Sequence, residues 1–442
     1  MTVRKFMAAS MALVSLTAGI DFSFSGCCLP ACAATTPKKE VRVKHTATPR
    51  PPLVEKYLVE GKLSEGETAL LDRLQHHPKD DEARFGLGVL QFLQAVEKLF
   101  QDISYYKIRD YDEIKDLVPI LSKFRRSSGA AEKITYEKAR KIIEDFQARV
   151  AKAEATLGGI NDEKVKLPLH FGMIRLDLTG DGILSENETL WKLYTVVQNS
   201  HKDITPEQAK TFYIKFDRGD VHWLRGYCNV FLALCDMYLA YDSRETFDRT
   251  IQLIFSNVDT PYKALMARRG GGKKIKSIDE AIIVDVIAVI HSIRWKLIEP
   301  KRMEAALHHL ETVIDQSRVS WKFIMAETDD DHEWLPNPRQ TGVIPDVKVT
   351  EAMVASWAEV MNESERVLSG KLLLPFLCAG EGEGVNLRRV FLEPRDFDLV
   401  YWVQGTDALP YIEEGTRTKF ETWRTLSREF GGHFPGFAFW FN

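Results

Sequence analysis

The sequence predicts a mainly α fold, and three observations carry that expectation. Apolar residues recur at helical spacing over most of the chain from Lys56 onward. Helix-start signatures stand before several of these runs, at Thr205-Pro206-Glu207-Gln208, at Ser277-Ile278-Asp279-Glu280 and at Thr350. Extended runs are few and short. A hydrophobic content of 45% and an aromatic content of 10% in 442 residues suffice for large buried cores, and two domains are expected at this length. The formal net charge of −4 is mildly acidic and argues against nucleic acid as the main partner.

At the N-terminus, Arg4 and Lys5 precede an uncharged apolar run from Phe6 to Ile20, too short to span a bilayer comfortably. Ala31-Cys32-Ala33 follows as a small-residue cleavage pattern. Residues 1–33 therefore read as a signal peptide, and the protein is expected to be exported, periplasmic or secreted. Lipidation at Cys27 is the lesser alternative, because Phe24 stands where a lipobox normally has Leu. No later segment is long and apolar enough for a transmembrane helix. Residues 34–55 are basic, rich in Thr and Pro and without periodicity, as in a disordered linker.

Residues 56–158 are expected to form an N-terminal helical domain, and 159–442 a larger, mainly helical one. Apolar positions predict a helix over Thr68–Gln75 closed by Pro78, a second through Phe85–Leu99 and a third over Tyr136–Leu157. The order Ala69, Leu74, Pro78, Phe85-Gly-Leu-Gly88 faintly resembles one junction of a tetratricopeptide pair near 64–100, which implies a peptide- or protein-binding surface. No second copy follows at that period. Gly158-Gly159 then breaks the helix, and Lys166–Leu178 contains Pro168 and Gly172, so it is expected to run extended.

That extended run leads into Asp177-Leu-Thr-Gly-Asp-Gly-Ile-Leu-Ser-Glu-Asn-Glu188, which resembles the twelve-residue EF-hand calcium loop. The resemblance implies Ca2+ as the ligand. Asp177, Thr179 and Asp181 would offer side-chain oxygens at positions 1, 3 and 5, and Gly182 would permit the sharp turn at position 6. Ile183 would give its carbonyl, Ser185 a hydroxyl or a bridging water, and Glu188 a bidentate carboxylate. Thr at position 3 leaves three carboxylates, so weaker binding is expected than with four. Leu184 should point into a core. Ser185 and Glu188 also satisfy a capping box, which requires no metal. An extended entry departs from helix–loop–helix and argues against a calmodulin-type opening switch. The exit helix is expected over Glu186–Gln198.

Tyr213-Ile-Lys-Phe-Asp217 echoes Met173-Ile-Arg-Leu-Asp177, but it lacks the later Gly and Glu and is not expected to bind metal. Asp220 is expected to N-cap a central core helix, Val221–Tyr241. Arg268–Lys274 is basic and glycine-rich but lacks P-loop spacing. An apolar helix is expected over Ala281–Ile298, ended by Pro300, with another over Met303–Phe323. The proline-rich stretch 327–346 reads as a long loop, in which Asp329, Asp331, His332, Glu333 and Arg339 could line a site. The competing reading is a solvated acidic turn with Trp334 packed on the body. Thr350 should cap a helix to Leu368, and Gly380–Gly384 should turn. The aromatic C-terminus 430–442 should tuck against the core.

Past residue 33, three cysteines remain: Cys228, Cys235 and Cys378. Seven residues along one helix place the first two about 10 Å apart, beyond disulfide reach, so free thiols are expected. A bridge from Cys378 to either is the alternative. No nucleophile elbow, zinc-protease His pair or dinucleotide fingerprint occurs, so an enzyme is not the first expectation. The leading expectation is an exported calcium-binding protein whose ion is structural. A calcium-dependent hydrolase using 327–346 and a peptide-binding helical module are the alternatives.

Overall fold

The run Trp223, Leu224, Tyr227, Val230, Phe231, Leu234, Met237, Tyr238 is apolar on most faces of a helix, and the fold is assembled around it. A computed structural model describes residues 50–106, 108, 132–185, 188–197, 210–262, 287–343 and 348–419. Helices α1 (Leu53–Glu60), α2 (Leu63–His76), α3 (Asp81–Tyr105) and α4 (Tyr136–Gly158) come first. Strand β1 (Leu167–Leu169), α5 (Leu190–Val197) and β2 (Ile214–Phe216) lead to the central helix α6 (Arg218–Leu239). After it come β3 (Tyr241–Asp242), α7 (Arg244–Ile254), β4 (Arg294–Leu297), α8 (Pro300–Ala326) and α9 (Glu351–Leu368). The described chain ends with β5 (Glu383–Val385), α10 (Leu387–Leu392), β6 (Phe397–Asp398), α11 (Leu399–Gln404), a 3-10 turn Thr406–Tyr411 and β7 (Ile412–Glu414). The fold is mainly helical, as expected. Among the described residues no helix is long and apolar enough to cross a membrane.

Helix α6 packs on α8 and on α4, and α3 packs on α4. Buried Asp236 ties three of these helices together by accepting from Gln147 Nε2 at 2.7 Å and from Arg302 Nη1 at 2.8 Å. One core takes residues from both sides of residue 158, from Val54 through Leu157 and on through Ile160 to Leu239. A second core joins α8 and α9 to β4 and α10. Among the described residues three small antiparallel sheets pin the connections: β1 with β2, β4 between β3 and β6, and β5 with β7.

Local chemistry explains the starts. Thr135 caps α4 by accepting from Lys138 N, Asp80 caps α3 by accepting from Ala83 N, and Thr350 caps α9 as expected. Four expectations are corrected. The helix expected from Val221 begins at Arg218, because Asp217 is the N-cap and Asp220 is the third residue of a reciprocal capping box. The helix expected to reach Ile298 stops at 292, and Arg294–Leu297 is instead β4. Its burial alternates exposed–buried–exposed–intermediate, the period-2 pattern of a strand, so Trp295 enters the core while Arg294 and Lys296 face out. Pro300 opens α8 at its first position, where the missing N–H costs nothing, rather than closing the preceding helix. The exit helix of the calcium-type loop starts at Leu190, later than Glu186, which itself lies outside the described residues.

Cys228, Cys235 and Cys378 are all free, so the alternative bridge from Cys378 is not formed. Burial pushes the Cys228 thiol up and that of Cys235 up to about 12, leaving both inert; Cys378 is exposed rather than buried. The signal peptide, most of the linker, the helix after Thr205, the Arg268–Lys274 loop and the aromatic C-terminus lie outside the described residues.

Candidate metal centre

The extended entry expected over Lys166–Leu178 forms in two pieces, broken by a 3-10 turn at Phe171–Met173; in the second, Ile174, Leu176 and Leu178 are buried while Arg175 and Asp177 between them are not. The loop's two ends are zipped together by backbone bonds, Leu176 N to Glu188 O and Leu190 N to Ile174 O. Between them the chain curls around two carboxylates. Asp177 accepts from Gly180 N at 2.8 Å and Gly182 N at 3.1 Å, with Thr179 Oγ1 at 3.4 Å. Glu188, buried, accepts from Leu178 N at 3.0 Å, Thr179 N at 3.2 Å, Ser185 N at 3.1 Å and Ser185 Oγ at 2.8 Å. Gly182 sits at φ +76°, the left-handed turn that only glycine adopts freely, and a Cβ there would meet nothing within 4 Å. Backbone angle, not space, therefore requires this glycine.

The other expected ligands are less engaged. Asp181 is exposed and, among the described residues, accepts only from Ile183 N, at 2.8 Å. Ile183 is 68% exposed, while Leu184 turns inward against Gly61 at the end of α1. Helix α3 supplies residues that the loop's sequence does not announce. Glu97 Oε1 accepts from Asp177 N at 2.7 Å, Gln101 Nε2 donates to Asp177 O at 2.8 Å, and Ser104 Oγ lies 3.1 Å from Thr179 O. Burial, followed by the charges of Asp177 and Glu188, pushes Glu97 up to about 7 against the pull of the Asp177 amide. The loop is thus seated on α1 and α3 and rimmed by a fourth carboxylate.

A second acidic cluster arises where no local motif marks it. Among the described residues, the group of three or more acidic, His or Cys side chains whose ligand atoms lie within 4.8 Å of one another is Asp217, Glu327 and Glu333. Asp217 caps α6, Glu327 follows the last residue of α8, and Glu333 lies in the stretch expected to be a loop. Burial pushes Glu327 up to about 9, helped by the charge of Asp217 and a hydrogen bond with it. Burial also raises Glu333 to about 7, with Asp217 and Asp329 adding to it, and raises buried Asp220 beside them. Three carboxyls this close cannot all ionise cheaply, so they share protons or accept a cation.

The remaining members of the 327–346 loop have other employment. Asp329 pairs with Lys166 at 2.7 Å and Asp331 with Lys215. His332 is exposed, at φ +66°, against Tyr213 and Asp331 rather than with the triad. Trp334 packs on Trp223 and Phe171, as the competing reading expected. Arg339 donates from Nη2 to Met325 O at 2.9 Å and to Glu327 O at 3.3 Å, satisfying carbonyls at the end of α8. Arg339→Ala is therefore expected to lower stability by about 1 kcal/mol, read as a lower calorimetric midpoint. An unchanged midpoint would show that the arginine does not serve the helix end.

Among the described residues, no hydrogen bond or ion pair joins this triad to the Asp177–Glu188 loop. Compared with protein-family models, with characterised proteins and with solved structures, the chain matches none.

Proposed function

We propose that this is an exported calcium-binding protein in which one ion at Asp177–Glu188 is structural. The observation that carries the reading is the closed loop itself. Asp177 and Glu188 gather its amides, Gly182 makes the left-handed turn, and residues from α1 and α3 grip its outside. Asp177, Thr179, Asp181, Ser185 and Glu188 would supply side-chain oxygens and Ile183 its carbonyl, a hard-oxygen set suited to Ca2+. Because the loop is bonded to α3 and to the start of α5, an ion there would fasten the N-terminal helices to the middle of the chain. Export rests on the sequence of residues 1–33, and an extracellular compartment suits a weak single site.

Calorimetric titration of residues 34–442 with calcium tests the reading. One binding event is expected, and Asp181→Ala should abolish or greatly weaken it while leaving the fold intact, since that carboxylate has only one internal bond. No heat at millimolar calcium would reduce the loop to a capped turn.

The acidic triad favours a second reading, an acid–base pair in a hydrolase. A protonated Glu327 hydrogen-bonded to Asp217 has the proton-sharing geometry such chemistry uses. His332 stands outside that cluster and is not its base.

A further inference from the structure

Between the second core and the small cluster of Val385, Ala408 and Tyr411 lies a cavity of about 560 Å³. Protein interiors close voids larger than a water molecule, so an opening in the size range of small-molecule sites, about 300–1,000 Å³, needs an account. Its walls come from α6, β3, β4, α8, the segment 374–376, β5, α10, β6, α11 and the 3-10 turn Thr406–Tyr411. Five rings form a continuous series along it. Tyr241 contacts Trp295, Trp295 contacts Phe397 at 6.0 Å, Phe397 contacts Trp402 at 6.2 Å, and Trp402 stacks on Tyr411 at 5.9 Å. The rings are held by their own polar ends: Trp295 Nε1 donates to Thr246 Oγ1 and Tyr411 OH to Glu393 O. The wall is therefore preorganised rather than collapsed.

Among the described residues three charged side chains line the opening: Arg395, Asp396 and Asp407. Two are anionic. Asp396 spends one oxygen on Leu297 N at 2.8 Å and keeps the other. Asp407 is half-buried, and among the described residues its carboxylate makes no hydrogen bond or ion pair. Arg395 lines the rim, is exposed and makes no hydrogen bond or ion pair among the described residues, and its charge is felt by Tyr411 and Glu393. Aromatic faces carry negative potential and attract cations. Apolar walls, ring faces and a described rim that carries two carboxylates to one guanidinium are complementary to a molecule with an apolar body and a single positive nitrogen.

We propose that this cavity binds an apolar amine, its body against the aromatic series and its ammonium group toward Asp396 and Asp407. The site is independent of the calcium loop. Nothing in it requires chemistry, so the inference is of binding alone.

Three probes of one shape test it: 4-phenylbutylamine, 4-phenylbutanol and 4-phenylbutanoate, titrated calorimetrically into residues 34–442 with calcium present. The amine should bind about tenfold more tightly than the alcohol, and the acid most weakly. Asp407→Asn should bring the amine down to the level of the alcohol without changing the alcohol. Val390→Trp, which fills the cavity, should weaken all three at least tenfold, with circular dichroism confirming the fold. If that variant does not fold, Thr406→Trp on the exposed rim serves the same purpose. The proposal is overturned by preference for the acid, by no binding of any probe at millimolar concentration, or by binding that neither filled-cavity variant weakens.

Discussion

Glu188→Ala is expected to be the most destabilising single substitution in the calcium-type loop, with or without the ion. The carboxylate is buried and, among the described residues, accepts four hydrogen bonds, from the amides of Leu178, Thr179 and Ser185 and from the Ser185 hydroxyl. Truncation leaves those donors without partners in a partly dry site, at about 1–3 kcal/mol for each that water cannot reach. A loss of about 3 kcal/mol or more is therefore expected in chelator, read from the thermal midpoint. Asp181→Ala differs in kind. It removes one bond to Ile183 N from an exposed side chain, so in chelator it should change stability by no more than about 0.5 kcal/mol. Calcium at about a hundredfold over Kd should stabilise the wild type by about 2.7 kcal/mol and either variant not at all. The pairing matters because Glu188 alone is ambiguous: a capping residue and a metal ligand are both costly to lose. Asp181 has little to do in the ion-free fold, so a calcium response that survives Asp181→Ala would count against the loop as the site.

The contrast between these two residues shows what the sequence could and could not announce. The two amide-gathering carboxylates, the glycine turn and the inward Leu184 follow from short-range spacing, and each was legible within twelve residues. Glu97, Gln101 and Ser104 were not. They belong to an unremarkable amphipathic helix, and only its packing against the loop some 75 residues later gives them a role. The triad was half legible. Asp217 and the 327–346 stretch each stood out as acidic, but no spacing rule links a helix cap to a carboxylate 110 residues downstream. Asp217 and Asp220 are both good capping residues, and only the reciprocal hydrogen bonds decide which is the cap and which its partner. The misread strand has a similar cause. Arg294–Leu297 alternates, but it follows a longer apolar run whose periodicity swamps four residues, and Pro300 can end one helix or begin the next.

Glu327→Gln is expected to stabilise the protein at alkaline pH and to leave it almost unchanged at pH 5. Glu327 faces Asp217 and Glu333, with Asp220 and Asp329 in the same neighbourhood and Lys166 the nearby cation; Gln340 Nε2 donates to it at 3.0 Å. Burial and the Asp217 charge raise its folded pKa to about 9, and that of Glu333 to about 7, against about 4.3 in an unfolded chain. The folded state therefore holds these protons more tightly. Their contribution to stability is complete below about pH 4 and is lost as pH rises through 7 for Glu333 and 9 for Glu327. A neutral amide can still accept from Gln340 and can donate to Asp217, but it has no charge to bury. Because Glu327 is only half-buried, solvent screening reduces the gain at pH 9 to on the order of 1–3 kcal/mol. Urea unfolding in chelator at pH 5, 7 and 9 should show the wild type losing stability across that range and the variant losing less. Glu333→Gln should act over a narrower window that closes near pH 7. If the wild type and Glu327→Gln fall in parallel, the pair holds no shared proton at neutral pH. The acid–base reading of this cluster then loses its only physical support, whatever the calcium loop proves to do.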